Sequence, residues 1–358
     1  MVREPFFRGF PENSRSVGAG AYSSCLHRAG GKSVTGRRSP LVRAARLLQR
    51  FPQGWLRPLE APFVRAKGSE NEPRLVFLFA LPRSGSTLTY QALVHGLQPV
   101  YLSNLWNLLY GVPWTGGQLS HTRCAGYESD FQSSQGFVEG MCGPAEGLRF
   151  WSYWTGCGLD ETAVPAISRN RLEQRVTYLR TVMSALTSEK TPMVSGYLGH
   201  ALIAERLREW FPEALFLRLH RDPLSNAASI LRSRKAGSGG WFSVFPEECR
   251  DVIGQGIHAE VAAQVYWLNR RLSWLDGDSQ TVHIDYERLC RDPNDALGAI
   301  INSSNTKGLE LAMQRALPNA FEYRLASPED DDDTTKLARE LERLETEHGP
   351  LPKRSIIQ

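Results

Sequence analysis

The sequence is poor in the features that would settle its class at once. Six cysteines occur in 358 residues and none stands in a CxxC pair, while the eight histidines form no HExxH motif. That pattern predicts reduced thiols and no metal. No apolar run approaches the roughly 20 residues that span a bilayer. The longest, Leu75 to Leu81, has the length of a buried strand. No h-region follows the first basic residues, so no signal peptide is expected and a cytoplasmic location follows. The sequence leaves peripheral membrane contact and oligomeric state open. Excess charge is also lacking, with a net of +4. Residues 1–68 carry +10 and the remainder −6. A nucleic-acid-binding body would show a basic face instead, so nucleic acid is not expected as a partner.

What is present is globular composition, 41% apolar and 10% aromatic, at a length that can bury a full core without staples. The Arg-, Ser- and Gly-rich segment 1–70 reads as a basic extension, and 71–358 as a single domain. Within the extension, Leu41, Ala44, Ala45 and Leu48 share one face of a short amphipathic stretch ending at Phe51. A disordered start, a short packed helix and a targeting or membrane-surface helix all fit that stretch.

From Glu72 strand and helix patterns alternate. Arg74–Leu81, Leu215–His220 and Thr281–Asp285 read as strands. Helices are expected to about His95, over Arg171–Leu186, His200–Trp210 and Pro223–Arg234, and along Val261–Leu275. This alternation predicts an α/β fold with a central parallel sheet flanked by helices. Between about 111 and 160 the periodicity fails in a Gly- and Trp-rich insertion, a length that suits a functional cover. The acidic run Glu329–Asp333 precedes Leu337, Leu341 and Leu344 at helical spacing and suits a helix N-terminus.

Two segments carry chemistry at strand-to-helix turns. Pro82-Arg83-Ser84-Gly85-Ser86-Thr87-Leu88 aims backbone N–H groups at one point, and Gly85 permits close approach of a ligand. Ser86 and Thr87 add hydroxyls and Arg83 a planar cationic fork. It is not a Walker A loop, because it has no Gly-Lys pair. Arg221-Asp222-Pro223, with Ser229 eight residues after Arg221, lets Arg221 and Ser229 reach one ligand at the sheet's C-terminal edge.

With a third segment, Asp285-Tyr286-Glu287-Arg288-Leu289-Cys290-Arg291-Asp292-Pro293, these motifs resemble the sulfotransferase family, which takes sulfuryl from 3′-phosphoadenosine 5′-phosphosulfate (PAPS). The resemblance covers about residues 72–300 and implies a P-loop-NTPase-like sulfotransferase fold. It implies that Arg83, Ser84, Gly85, Ser86, Thr87 and Leu88 hold the 5′-phosphosulfate, Arg221 and Ser229 the 3′-phosphate, and Tyr286 the base. PAPS as co-substrate, a hydroxyl-bearing acceptor (carbohydrate, glycolipid or small metabolite) and no metal are further expectations. The family's Lys ahead of the 3′ motif is missing, leaving His200 as a candidate base. A family Glu expected about 21 residues after Arg83 is Asn104 here. Glu146 is the next candidate, followed by Glu128 and His121. Arg83 would assist at the leaving oxygen. Trp106, Trp114, Trp151, Tyr153 and Trp154 would suit an acceptor cleft. A catalytically degenerate nucleotide binder and a P-loop kinase-like phosphotransferase are the alternatives.

Overall fold

The structure is a computed structural model that describes residues 56–67, 72–134, 136–163, 167–237 and 240–351. Its helices in chain order are α1 (Arg57–Lys67), α2 (Ser86–Leu97), α3 (Asn104–Leu108), α4 (Pro113–Cys124), α5 (Leu148–Thr155), α6 (Arg169–Leu186), α7 (Ala204–Trp210), α8 (Pro223–Ala236), α9 (Ile257–Arg271), α10 (Tyr286–Arg291), α11 (Pro293–Asn305) and α12 (Asp332–His348). The strands are β1 (Leu75–Phe79), β2 (Val100–Tyr101), β3 (Met193–Ser195), β4 (Leu215–His220) and β5 (Thr281–Asp285). They form one sheet in the order β2-β3-β1-β4-β5, with every pairing parallel. The expected α/β sheet flanked by helices is therefore present.

Every residue of β1 is buried, because helices cover both faces of a central parallel strand. After β1 the chain turns to one side of the sheet, and it later returns as β4 on the other. The loop after β1 thus opens at the switch point where α/β sheets bind ligands. The three sequence motifs follow β1, β4 and β5, which lie side by side, so they share one edge.

The helix starts follow local capping chemistry. Pro223 occupies the first turn of α8, and the Asp222 carboxylate accepts from Ser225 N at 2.7 Å. Asp285 accepts from Arg288 N at 2.7 Å to begin α10. Asp331 does the same for Thr334 at 2.7 Å, which gives the acidic run its place at the start of α12. Side-chain caps of this kind satisfy the amides that a helix start leaves unpaired.

Differences from the sequence expectations have physical causes. Strands β2 and β3 span two and three residues, too few for a periodic signal. The irregular insertion contains helices α4 and α5. Gly116 and Gly117 lie inside α4 because Trp106 packs on them. A Cβ at Gly116 would meet Trp106 at 2.5 Å, and one at Gly117 would meet Leu186 at 2.6 Å. These glycines mark close packing and not a loop.

The expectation of reduced thiols fails at one pair, since Cys124 and Cys142 form a disulfide between the end of α4 and the irregular segment. Cys157, Cys249 and Cys290 are free and buried. The stretch Leu41–Phe51 lies outside the described residues. The end of the basic extension is helix α1, whose Glu60 carboxylate accepts from Thr115 N at 2.9 Å and from the Tyr178 hydroxyl at 2.8 Å. Among the described residues no helix is long and apolar enough to cross a membrane.

Candidate functional site

The β1–α2 loop is a tight cradle. Ser84 turns back on Leu81, its hydroxyl donating to the carbonyl at 2.7 Å. Arg83 and Gly85 both take left-handed backbone, with φ of 60° and 93°. A non-glycine residue there costs conformational energy, and such strain concentrates at ligand sites. At Gly85 the neighbour also decides, because a Cβ would fall 2.0 Å from the Tyr286 ring. The first turn of α2 leaves the amides of Ser86, Thr87 and Leu88 without helical acceptors, beside the positive end of the helix dipole.

The motif after β4 is fastened to this cradle. Arg221 donates through Nη1 to the Arg83 carbonyl at 2.6 Å, and Asn226 donates to the Pro82 carbonyl at 2.7 Å. Arg83 Nε lies 3.4 Å from the Ser229 hydroxyl. The third motif closes the group, with the Arg221 guanidinium 4.8 Å from the centre of the Tyr286 ring. Residues 83, 221, 229 and 286, far apart in sequence, are therefore one constellation.

Its electrostatics point to an anion. Burial lowers the Arg83 guanidinium from its ordinary pKa, and the charges of Arg221 and Arg232 lower it further. Arg232 is likewise lowered by burial, then by Arg324 and Arg221. Like charges held together raise each other's energy, and a polyanion placed among them relieves that cost. Arg232 and Arg324 were not singled out in the sequence. Arg232 lies three residues past Ser229, a spacing that keeps it on the same side of α8. Arg324 carried no local signal. The chain brings it back where its carbonyl accepts from Arg221 Nη2 at 3.4 Å and Ala326 N donates to Ser225 Oγ at 2.9 Å.

The candidate bases differ sharply in place. Glu146 precedes α5, where Gly147 turns the chain with φ of 82°. A Cβ at Gly136 would sit 3.6 Å from both Glu146 Oε1 and Thr87 Oγ1, so one small group spans the carboxylate and the loop. Desolvation pushes the Glu146 pKa up to about 7, although the side chain keeps a partial opening to solvent. His200 is 0% exposed and lies edge-on to Phe77, Trp151 and Tyr197, with ring centroids 5.0, 4.7 and 5.2 Å away. Among the described residues neither of its ring nitrogens has a hydrogen-bond partner. Burial depresses its pKa to about 3.

Glu128 is exposed and pairs with Arg315 at 3.1 Å, and His121 is exposed. Asn104 holds the irregular segment through the Val138 and Gly140 carbonyls, at 2.8 and 2.7 Å. Trp106, Trp151 and Trp154 are each 0% exposed and belong to the core, so they do not line an acceptor cleft. Trp114 stacks on Phe63 at 5.8 Å beside a cavity of about 320 Å³ that α1 helps to line.

A parallel sheet with cationic and amide donors gathered after β1 and β4 defines an α/β protein whose switch point is suited to an anionic group. The chain belongs to the sulfotransferase family, whose profile matches residues 73–307. No curated protein matches it. Among solved structures it is similar to a sulfotransferase from Mycobacterium avium at 16% identity and a TM-score of 0.45, covering 87% of this chain and 76% of that one. A sulfotransferase from Mycobacterium tuberculosis H37Rv matches at 18% identity and 0.43, covering 72% of each chain. The sulfotransferase domain of the Synechococcus PCC 7002 olefin synthase matches at 18% and 0.36, covering 66% of this chain and 76% of that one.

Proposed function

We propose that the chain moves a sulfuryl group from PAPS to a hydroxyl acceptor, with Glu146 as general base. The observation that carries this reading is the clustering of Arg83, Arg221 and Arg232 around the β1 and β4 loops. There Arg221 and Arg232 add to burial in lowering the Arg83 pKa, and Arg221 adds to burial and Arg324 in lowering that of Arg232. PAPS has a charge at each end, and the two loops offer one receptor for each. The turn from Ser84 to Leu88 and the Arg83 fork hold the 5′ end. Arg221 and Ser229 take the 3′-phosphate, with Arg232 and Arg324 at its outer side. Tyr286, held against Gly85, borders the adenine.

The co-substrate supplies an activated sulfuryl group. Glu146 takes the acceptor's hydroxyl proton as the new O–S bond forms. Arg83 and the α2 amides stabilise the negative charge that grows on the departing phosphate oxygen as the old S–O bond breaks. A carboxylate with a pKa near 7 is matched to proton removal at neutral pH. His200 does not fit the base role, since its pKa of about 3 makes it a very weak base and its ring is sealed among aromatics. His200→Leu should therefore leave turnover within a few-fold of wild type. It should hold or raise Tm, because replacing an unpaired buried polar group with an apolar one is neutral or stabilising. A loss of turnover beyond about 100-fold with the fold intact would restore His200 as the base.

The Cys124–Cys142 disulfide favours an oxidising compartment over the cytoplasmic expectation, since reducing compartments keep thiols free. The reading is tested by thermal shift with adenosine 3′,5′-bisphosphate, followed by transfer of labelled sulfuryl from PAPS into hydroxyl acceptors. Stabilisation by the bisphosphate together with transfer supports it. Stabilisation without transfer to any acceptor supports a nucleotide binder that has lost catalysis.

A further inference from the structure

The sequence shows no paired metal-ligand spacing, yet the sheet brings together three residues that function has not used. His220 ends β4, His283 lies in β5, and Asp276 comes from the turn Ser273–Gly277 that follows α9. Strand register pairs Arg218 with His283 and His220 with Asp285, so the two imidazoles are diagonal neighbours on one face of the sheet. We propose that His220 Nε2, His283 Nδ1 and Asp276 Oδ1 form a zinc site that ties β4 to β5.

The geometry is that of a ligand set. His220 Nε2 and His283 Nδ1 share a hydrogen bond at 2.9 Å, which an ion accepting both lone pairs would replace, and Asp276 Oδ1 lies 4.0 Å from the first and 3.8 Å from the second. The point equidistant from these three atoms is about 2.1 Å from each, within the range of about 2.0–2.2 Å for zinc–nitrogen and zinc–oxygen bonds. Bringing all three edges to about 3.3 Å, the edge of a tetrahedron with such bonds, widens the imidazole pair and draws Asp276 in by about half an ångström, which lifts the ion from the plane and leaves a fourth position for water.

Asp276 Oδ1 is buried and, among the described residues, has no hydrogen-bond partner. Its distances to the imidazoles are too long for hydrogen bonds and suit a shared ion. Two imidazoles with one carboxylate are a donor set of borderline softness, which suits zinc better than calcium or magnesium. All three side chains keep 11–19% exposure, which gives an ion a way in. The opposing charge is Arg218, a buried guanidinium on the same sheet face whose Nη2 donates to Asn269 at 2.7 Å. Asp276 offsets that charge by attraction and still leaves Oδ1 without a hydrogen bond, facing the histidines.

The site is independent of the sulfuryl-transfer reading. Its test is zinc binding by the full chain after chelator stripping, read by elemental analysis, by Tm in a zinc titration and by the cobalt(II) visible spectrum. The expected result is one zinc per chain, a rise in Tm with zinc, and a four-coordinate cobalt spectrum. Asp276→Asn, which keeps the shape, and His220→Gln should each weaken zinc at least about 100-fold, whereas His258→Gln should leave it unchanged. Wild-type protein that neither retains zinc nor gains Tm with it overturns the proposal. So does unchanged zinc affinity in Asp276→Asn. Binding of adenosine 3′,5′-bisphosphate, measured on the same samples, tests the nucleotide site separately.

Discussion

Glu146→Gln should lower turnover by about 10²–10⁴-fold while leaving the affinity for adenosine 3′,5′-bisphosphate nearly unchanged. The amide fills the same space next to Gly136 and Thr87 but cannot take a proton. The contacts proposed for the nucleotide lie on Arg83, Arg221 and Ser229, which bond to one another and which the substitution does not touch. In the wild type, the rate should climb with pH through about 7, as the raised carboxyl ionises, and the variant should lose that limb. A variant with wild-type turnover, or a limb that persists in it, removes Glu146 from the reaction.

The same substitution carries a stability signature of definite sign. The folded-state pKa of Glu146, about 7, lies above its ordinary value of 4.5, so the folded chain holds this proton more tightly than the unfolded chain. Its contribution to stability therefore falls as pH rises from about 4.5 to about 7, and above that the full cost of the desolvated charge is present. Glu146→Gln should thus gain Tm over wild type near pH 8 and gain much less near pH 4. The sign follows from desolvation of the carboxylate alone, so the Tm comparison checks the raised pKa independently of turnover.

Much of the scaffold was legible because its signals are local. The apolar run at β1, the Asp-Pro start of α8 and the leucine spacing of α12 each state an element within a dozen residues. The three motif segments were legible for the same reason, each being a short string at a strand's end. What escaped was set by tertiary contact. Gly116 and Gly117 read as a loop until Trp106 is seen lying on them. His220 and His283 are 63 residues apart and meet only through strand register. His200 sits where a base was expected, at the C-terminal edge of β3. Its surroundings, Phe77 and Phe79 from β1 and Trp151 from α5, come from distant segments and decide its chemistry. Arg324 joins the arginine cluster only because the chain after α11 folds back over Cys290 and Ser225.

Arg221→Ala should weaken adenosine 3′,5′-bisphosphate far more than adenosine 5′-monophosphate, which lacks the 3′ group. Each charge-assisted hydrogen bond lost is worth about 1.5–3 kcal/mol, or a factor of about 10–150 in affinity. Part of the effect will not discriminate between the ligands, because Arg221 also supports its neighbours. It donates to the Arg83 carbonyl at 2.6 Å and lies over the Tyr286 ring, so its loss loosens the 5′ cradle too. The monophosphate reports that shared component, and the excess loss for the bisphosphate reports the 3′ contact. Arg221→Lys separates the two further. It keeps the charge but cannot span a carbonyl and a phosphate with one planar fork, so it should recover only part of the bisphosphate affinity. Equal losses for both ligands in Arg221→Ala would mean that Arg221 serves the cradle alone and that the 3′-phosphate is held by Ser229 with Arg232 and Arg324.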